Sequence, residues 1–184
     1  KKEQSLFFVG DGSTEQDDDK DDENPKLQIK VLERFGKILA DKGWGYRRFT
    51  ANESPSTRTN IINDFKDGDI DAILAIRILD EGIDLPGVMR AFLLASTSNR
   101  RQFVQRRGRI LRRAEGKDKA VIYDFIVLPP EGEDCAFVRR EVDRLIEIGQ
   151  DSLPESKNNS MMLVKELINS YKVDSETYEK ASKY

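Results

Sequence analysis

The chain has 184 residues, of which 38% are hydrophobic and 35% charged, and this composition suits one folded domain of ordinary size with an appendage. No apolar run approaches the roughly 20 residues that span a membrane, and the opening residues lack the shape of a signal peptide, so we expect no membrane association. A single cysteine and no histidine exclude an internal disulfide and a Cys/His metal cluster, which favours a reducing, cytoplasmic location.

The net charge of −3 hides a strong asymmetry along the sequence. Eight acids and one lysine within residues 11–24 sum to −7, so the remainder carries a net charge of +4, with seven arginines in residues 100–113. The acidic run cannot bury apolar surface and is predicted to form a flexible loop over residues 11–25; mimicry of nucleic acid is an alternative role for it. The basic concentration elsewhere fits binding of a polyanion.

Strands and helices are predicted to alternate along the first 130 residues. Short apolar runs predict strands near residues 5–9, 46–50, 70–76, 90–95 and 120–127. Apolar spacing predicts one helix over residues 26–41, with Ile38 on its apolar side. A second helix is predicted from Ser54, the N-cap before Pro55, to about Phe65. This alternation is typical of an α/β fold with a parallel, doubly wound sheet flanked by helices.

Residues 131–184 are predicted to form a helical C-terminal extension to the α/β domain of residues 1–130. A helix is expected over residues 135–148 and another over residues 161–171. The polar stretch between them, residues 150–159, is expected to be a linker.

The most informative stretch is dense in arginine and covers residues 105–113, here called the arginine segment. In a helix, Gln105, Arg109 and Arg112 fall within one narrow sector, while Ile110 falls on roughly the opposite side. One face can then pack on a sheet while the other presents planar guanidiniums that match phosphate oxygens. Gly108 is a poor helix residue, which indicates that something approaches the backbone there. A solvated basic helix face is the alternative interpretation.

A second informative stretch, residues 79–86, is here called the acidic turn and precedes the arginine segment by about twenty residues. It follows the apolar run at residues 72–76, which suits a strand buried on both faces. The turn is therefore expected at the carboxyl edge of the sheet, where open α/β sheets bind ligands. Asp84 in this turn would accept hydrogen bonds from ribose hydroxyls, or alternatively would cap a local backbone amide.

The two stretches together resemble motifs V and VI of superfamily 2 helicases and translocases. Motif VI of that family reads Gln-x-x-Gly-Arg-x-x-Arg, and the matching residues are Gln105, Gly108, Arg109 and Arg112. Motif V commonly reads Glu-Gly-x-Asp-x-Pro, and the matching residues are Glu81, Gly82, Asp84 and Pro86. The resemblance covers about residues 5–130 and is closest to the XPB-like and restriction-associated DEAD/DEAH-type branches. It implies the C-terminal RecA-like domain of such a protein.

The resemblance also implies a role for each matched position. Arg109 and Arg112 would be catalytic, as arginine fingers. The residues expected to bind ATP are Gly82, Asp84 and Gln105. The residues expected to bind nucleic acid are Gly10, Thr50, Arg58 and Arg77. Thr50 and Arg58 are alternatively a strand-end threonine and a surface arginine. Relatives carry a hydroxyl residue where this chain has Ile76 and Arg77, so Arg77 either replaces that phosphate contact or is merely exposed.

Half of an ATPase site is missing from this sequence, since it has neither a P-loop Gly-x-x-x-x-Gly-Lys-Ser/Thr nor an Asp-Glu box after an apolar strand. The resemblance implies that ATP and Mg²⁺ are held mainly by an N-terminal RecA-like domain of the same protein. The whole would be an ATP-dependent helicase or translocase that prefers DNA over RNA, and this piece alone would be inactive and monomeric. The alternatives are a nucleic-acid-binding module with no active nucleotide site and a plain α/β interaction domain.

Overall fold

The structure is a computed structural model, and the residues that it describes are 4–9, 25–76, 85, 88–94, 108, 110, 112, 115–126, 128–130, 135–150, 152–173 and 179. The chain divides into two compact units, Lys1–Phe125 and Ile126–Tyr184.

A parallel sheet forms the framework of the first unit. Its strands in chain order are β1 (Ser5–Phe8), β2 (Tyr46–Phe49), β3 (Ala72–Ala75), β4 (Arg90–Leu93) and β5 (Val121–Asp124). Their spatial order is β2-β3-β1-β4-β5, and every pair is parallel. The inner strands β1 and β3 are buried at every position, as their apolar sequences require. The predicted α/β fold with a parallel sheet is confirmed.

Helix α1 (Pro25–Asp41) covers one face of this sheet. Leu32 and Leu39 of α1 are buried in a cluster with Phe7 and Leu74 of the inner strands. The prediction that Ile38 belongs to the apolar side is wrong, because its side chain is 52% exposed. Ile38 lies about 120° around the helix from Leu32, beyond the edge of the stripe that the sheet can cover.

Helix α2 (Pro55–Asp67) begins at the predicted N-cap and ends two residues later than expected. The Ser54 hydroxyl accepts a hydrogen bond from the Thr57 amide, and a proline occupies the first turn. The helix ends at Gly68, whose φ of +80° is a left-handed conformation that suits glycine. Phe65 near this end is 1% exposed and anchors α2 in the core.

A row of aromatic side chains crosses the sheet from strand to strand. Phe7 pairs in register with Phe92, and Phe92 with Tyr123. Their rings stack with centroids 4.5 Å and 4.7 Å apart, and Trp44 meets Phe7 edge-on at 6.1 Å. Such pairs contribute about 0.5–1.5 kcal/mol each beyond the area that they bury. The row therefore helps to fix the register of β1, β4 and β5.

The second unit is built on two packed helices, α3 (Cys135–Gln150) and α4 (Pro154–Tyr171). Their contact is apolar and includes Val138, Val142, Leu145, Ile146, Val164, Leu167 and Ile168. The Tyr171 hydroxyl donates to the Pro129 carbonyl at 2.6 Å, which ties the end of α4 to the start of the unit. A buried ion pair joins Glu141 and Arg144 on successive turns of α3.

The predicted linker over residues 150–159 is wrong in its second half, because α4 already begins at Pro154. Pro154 and Glu155 are a proline and an acid in a first helical turn, where both are favoured. The residues that follow, as far as Ser160, are all polar, so composition alone made this turn resemble a linker.

Candidate nucleotide and nucleic-acid interface

The strand registers bring the carboxyl ends of the five strands to one level. Phe8 of β1 pairs with Ala75 of β3 and with Leu93 of β4. Ala75 pairs in turn with Phe49 of β2, and Leu93 pairs with Asp124 of β5. The residues that follow these strands therefore share one edge of the sheet, the edge at which open α/β sheets bind ligands.

Thr50 follows β2 at this edge and lies in a tight loop. Its hydroxyl donates to the Glu53 carboxylate at 2.8 Å, and its backbone amide donates to the same carboxylate oxygen. The hydroxyl oxygen also accepts from the Asn52 amide at 3.2 Å. The single hydroxyl proton of Thr50 is thus already used, and a phosphate oxygen can receive it only if the Glu53 carboxylate moves away.

Arg58 lies in the first turn of α2 and reaches back to the same loop. Its Nη2 atom donates to the Thr50 carbonyl at 3.1 Å. Its guanidinium carbon lies 5.8 Å from the centroid of the Phe49 ring, a cation–π distance. These contacts give Arg58 a local role in holding the loop. Binding of nucleic acid by Arg58 stays a prediction.

The amino end of α2 is the second polar feature of this edge. The Ser54 hydroxyl lies 2.9 Å from the hydroxyls of both Ser56 and Thr57. All three residues are exposed. A helix amino terminus carries partial positive charge and backbone donors, so this end of α2 suits a phosphate better than a cation.

Only the end of the motif V region is described. Leu85 and Val88 are both buried, and the Val88 amide donates to the Leu85 carbonyl at 3.3 Å. These two buried side chains therefore anchor the chain shortly before β4.

The arginine segment is described at three positions. Gly108 is helical and exposed, and a Cβ atom added to it meets no other heavy atom within 4 Å. Ile110 is helical and 1% exposed, so its predicted packing against the core is confirmed. Arg112 is exposed as predicted, but it is not helical. The helical projection that grouped Arg112 with Gln105 and Arg109 therefore does not extend to Arg112.

Lys117 belongs to this region, although no sequence pattern singles it out. It is 8% exposed, and its ammonium donates to the Ile110 carbonyl at 2.5 Å. Lysine is almost never buried unless it is paired. The contact spans a turn at Glu115 and Gly116, and no spacing rule for helices or strands predicts it.

The other predicted site residues, Gly10, Arg77, Gly82, Asp84, Gln105 and Arg109, lie outside the described residues. Their sequence neighbours Val9 and Ile76, which precede Gly10 and Arg77, are described and follow the adjacent strands β1 and β3. Within the described part of the chain, no three acidic, cysteine or histidine side chains cluster as metal ligands. No helix of that part is long and apolar enough to cross a membrane.

Residues 25–114, which contain both the acidic turn and the arginine segment, match the family described as the helicase conserved C-terminal domain. The match supports, for this stretch, a C-terminal RecA-like domain like those of superfamily 2 helicases. The resemblance drawn from motifs V and VI is thereby confirmed, and helices flank the parallel sheet as that family implies.

Two curated relatives and one solved structure illustrate the similarity. The DNA 3'-5' translocase XPB2 of Sulfurisphaera tokodaii is 40% identical over 70 residues, which are 38% of this chain and 15% of that protein. The putative ATP-dependent helicase IRC3 of Saccharomyces cerevisiae is 33% identical over 95 residues, 52% of this chain and 14% of that protein. The crystal structure of the C-terminal part of the Fun30 ATPase domain has a TM-score of 0.52 at 17% identity, covering 90% of this chain and 46% of that one, and supports the fold alone. The chain thus matches about one seventh of the length of either curated relative.

Proposed function

We propose that this chain is the second motor domain of an ATP-dependent helicase or translocase. The observation that carries the proposal is the helicase-family match over residues 25–114, which includes every residue of motifs V and VI. The similarity to a DNA 3'-5' translocase favours the XPB-like branch and DNA over RNA. The second unit is then a helical extension of the motor domain, and the chain by itself is monomeric and does not hydrolyse ATP.

ATP would be bound in a cleft between this domain and a P-loop domain of the same protein. Gly82, Asp84 and Gln105 would contact the nucleotide from this side, and Arg109 and Arg112 would reach the transferred phosphoryl group. Guanidinium forks match phosphate oxygens, and an exposed Arg112 beside a buried Ile110 suits that task. Mg²⁺ bound with ATP would neutralise phosphate charge, and its ligands would come mainly from the P-loop domain.

The nucleic-acid backbone would lie across the carboxyl ends of β2, β3 and β1. Gly10, Thr50 and Arg77 follow these three strands, which are neighbours in the sheet. The amino end of α2 and Arg58 stand beside Thr50 and supply donors of the kind that phosphates accept. Such contacts read the backbone and not the base sequence.

One cycle of ATP hydrolysis would then move this domain along the nucleic acid. With ATP bound, the two arginines attract its phosphates and draw the two motor domains together. Hydrolysis and phosphate release remove that attraction, and the cleft opens. If the residues at the β-strand ends hold the nucleic-acid backbone only when the cleft is closed, or only when it is open, each cycle advances the domain along one nucleic-acid strand.

The test is DNA-stimulated ATP hydrolysis by the complete protein carrying Arg109→Ala or Arg112→Ala. We expect each variant to lose about 10³-fold or more in kcat, the range measured for arginine fingers. Arg139→Ala, an exposed arginine on α3, is the matched control and should hydrolyse ATP at the normal rate. Normal turnover by Arg109→Ala and Arg112→Ala would overturn the proposal. If the unmodified complete protein binds DNA but hydrolyses no ATP, the result would favour a binding module with no active nucleotide site.

A further inference from the structure

Lys117 is one of few charged residues that are buried in the described part of the chain. Its ammonium lies against the Ile110 carbonyl, with a nitrogen–oxygen distance of 2.5 Å. A hydrogen bond from a charged donor is about twice as strong as one between neutral groups. The bond therefore holds the backbone at Ile110 firmly.

The turn before Lys117 makes this contact geometrically accessible. Gly116 has a φ of +73°, a left-handed conformation that side chains rarely adopt, and Glu115 and Gly116 together reverse the chain. Lys117 consequently returns toward a residue seven positions earlier. The residue after next, Lys119, is exposed, so the burial is specific to Lys117 and not a property of the whole stretch.

The backbone of Ile110 is fixed from two directions. Its side chain is fully buried in the core, and its carbonyl accepts from the Lys117 ammonium. Gly108, two residues earlier, is helical and exposed, whereas Arg112, two residues later, is exposed and not helical. The helical conformation thus ends close to the carbonyl that Lys117 binds, which is where a cation is favoured at a helix carboxyl end.

We propose that Lys117 is a positioning residue for the arginines of motif VI, Arg109 and Arg112. Ile110 directly follows Arg109 in the sequence and stands two residues before Arg112, so a bond that fixes the Ile110 backbone would restrain the chain on either side of it. Lys117 would not touch ATP itself. This inference rests on the proposed function, because it assigns Lys117 a role only if the arginines act on a phosphoryl group.

Stability alone is a weak reason to bury this ammonium. Replacing a buried charged group by an apolar residue of similar volume is often neutral for stability or raises it. A methionine could fill the space of the lysine stem with little loss of packing. The ammonium is therefore better explained by the orientation that it gives to the neighbouring backbone.

The test compares three variants of the complete protein: Lys117→Met, Lys117→Arg and the exposed control Lys119→Met. A displacement of about 1 Å can cost about 100-fold in rate, so we expect Lys117→Met to lower kcat for ATP hydrolysis about 10- to 100-fold. KM for ATP should change less than about twofold, because the arginines act mainly on the transition state. Lys117→Arg retains a charged donor and should recover much of kcat, and Lys119→Met should match the unmodified protein.

Circular dichroism of each variant of the complete protein reports whether it is folded. If Lys117→Met unfolds, Lys117→Gln takes its place. A folded Met or Gln variant with normal kcat overturns the inference, and so does failure of both variants to fold, which would make Lys117 a purely structural residue. Normal hydrolysis by Arg109→Ala overturns the proposed function instead, so the two failures are distinguishable.

Discussion

Replacing Gly108 by alanine tests the exposed helical backbone at this position. Gly108 is helical and exposed, and a Cβ atom there meets nothing within 4 Å, so the fold provides room for the methyl group. Glycine is about 0.8–1.0 kcal/mol less favourable than alanine inside a helix. Because Arg112 is not helical and Gly108 is therefore close to the helix end, we expect a smaller gain of about 0.5 kcal/mol in the free energy of unfolding.

Gly68→Ala is the matched control. A Cβ atom on Gly68 also meets nothing within 4 Å, but the φ of Gly68 is +80°. The left-handed conformation costs an alanine about 1–2 kcal/mol, so this variant should lose stability while Gly108→Ala gains it. The two variants differ in backbone conformation and not in available space.

The assay is urea unfolding of the 184-residue chain followed by Trp44 fluorescence. Trp44 packs edge-on against Phe7, so its signal follows the first unit. A lower unfolding midpoint for Gly108→Ala, at an unchanged m-value, would refute the reasoning about this helix. In the complete protein, the same variant should hydrolyse ATP more slowly despite its higher stability, because the methyl group stands where the P-loop domain or its nucleotide is expected to approach.

Three further predictions concern the fold and the nucleic-acid edge. Ser54→Ala removes the N-cap acceptor of α2 and should cost about 1 kcal/mol of stability, measured by Trp44 fluorescence. Ile168→Ala should cost the second unit about 2–5 kcal/mol by circular dichroism. We expect a smaller loss in the Trp44 transition of the first unit, and an equal loss would contradict that expectation. Arg58→Ala should weaken DNA binding uniformly across sequences and reduce the slope of log K against log salt by about 1, whereas an unchanged slope would leave Arg58 only its contact with Thr50.

The strands of the sheet were predictable from the sequence because they are short runs of apolar residues. The apolar residues of β1 and β3 can be buried on both faces only in the interior of a parallel sheet, and their burial is complete. The start of α2 was also predictable, because Ser54 and Pro55 act within a single turn. Local chemistry determines both features, so a single sequence is sufficient to read them.

Features that depend on packing between distant residues were missed. Ile38 has the spacing of a core residue, but the sheet covers only part of the apolar side of α1 and leaves Ile38 exposed. The first turn of α4 is polar and therefore resembles a loop in composition, although Pro154 and Glu155 are both favoured at a helix start. The contact from Lys117 to Ile110 depends on a turn that no periodicity reveals.

The candidate site was predictable to the extent that its residues belong to motifs. The spacing of Gln105, Gly108, Arg109 and Arg112 identified the family without any coordinates. The contacts of Thr50 with Glu53 and of Arg58 with Thr50 were not predictable, because they depend on the loop conformation after β2. These contacts determine how readily each side chain can turn to a phosphate.

The most direct test of the central claim is the affinity of the complete protein for ADP with aluminium fluoride, an analogue of the transferred phosphoryl group, compared with ADP alone. If Arg109 and Arg112 stabilise charge that develops on that group, Arg109→Ala should weaken binding of the analogue by about 100-fold or more, since such analogues bind at least that much tighter than ground-state ligands. Affinity for ADP should stay the same. Equal affinity of the unmodified protein and of both arginine variants for the analogue would contradict the account.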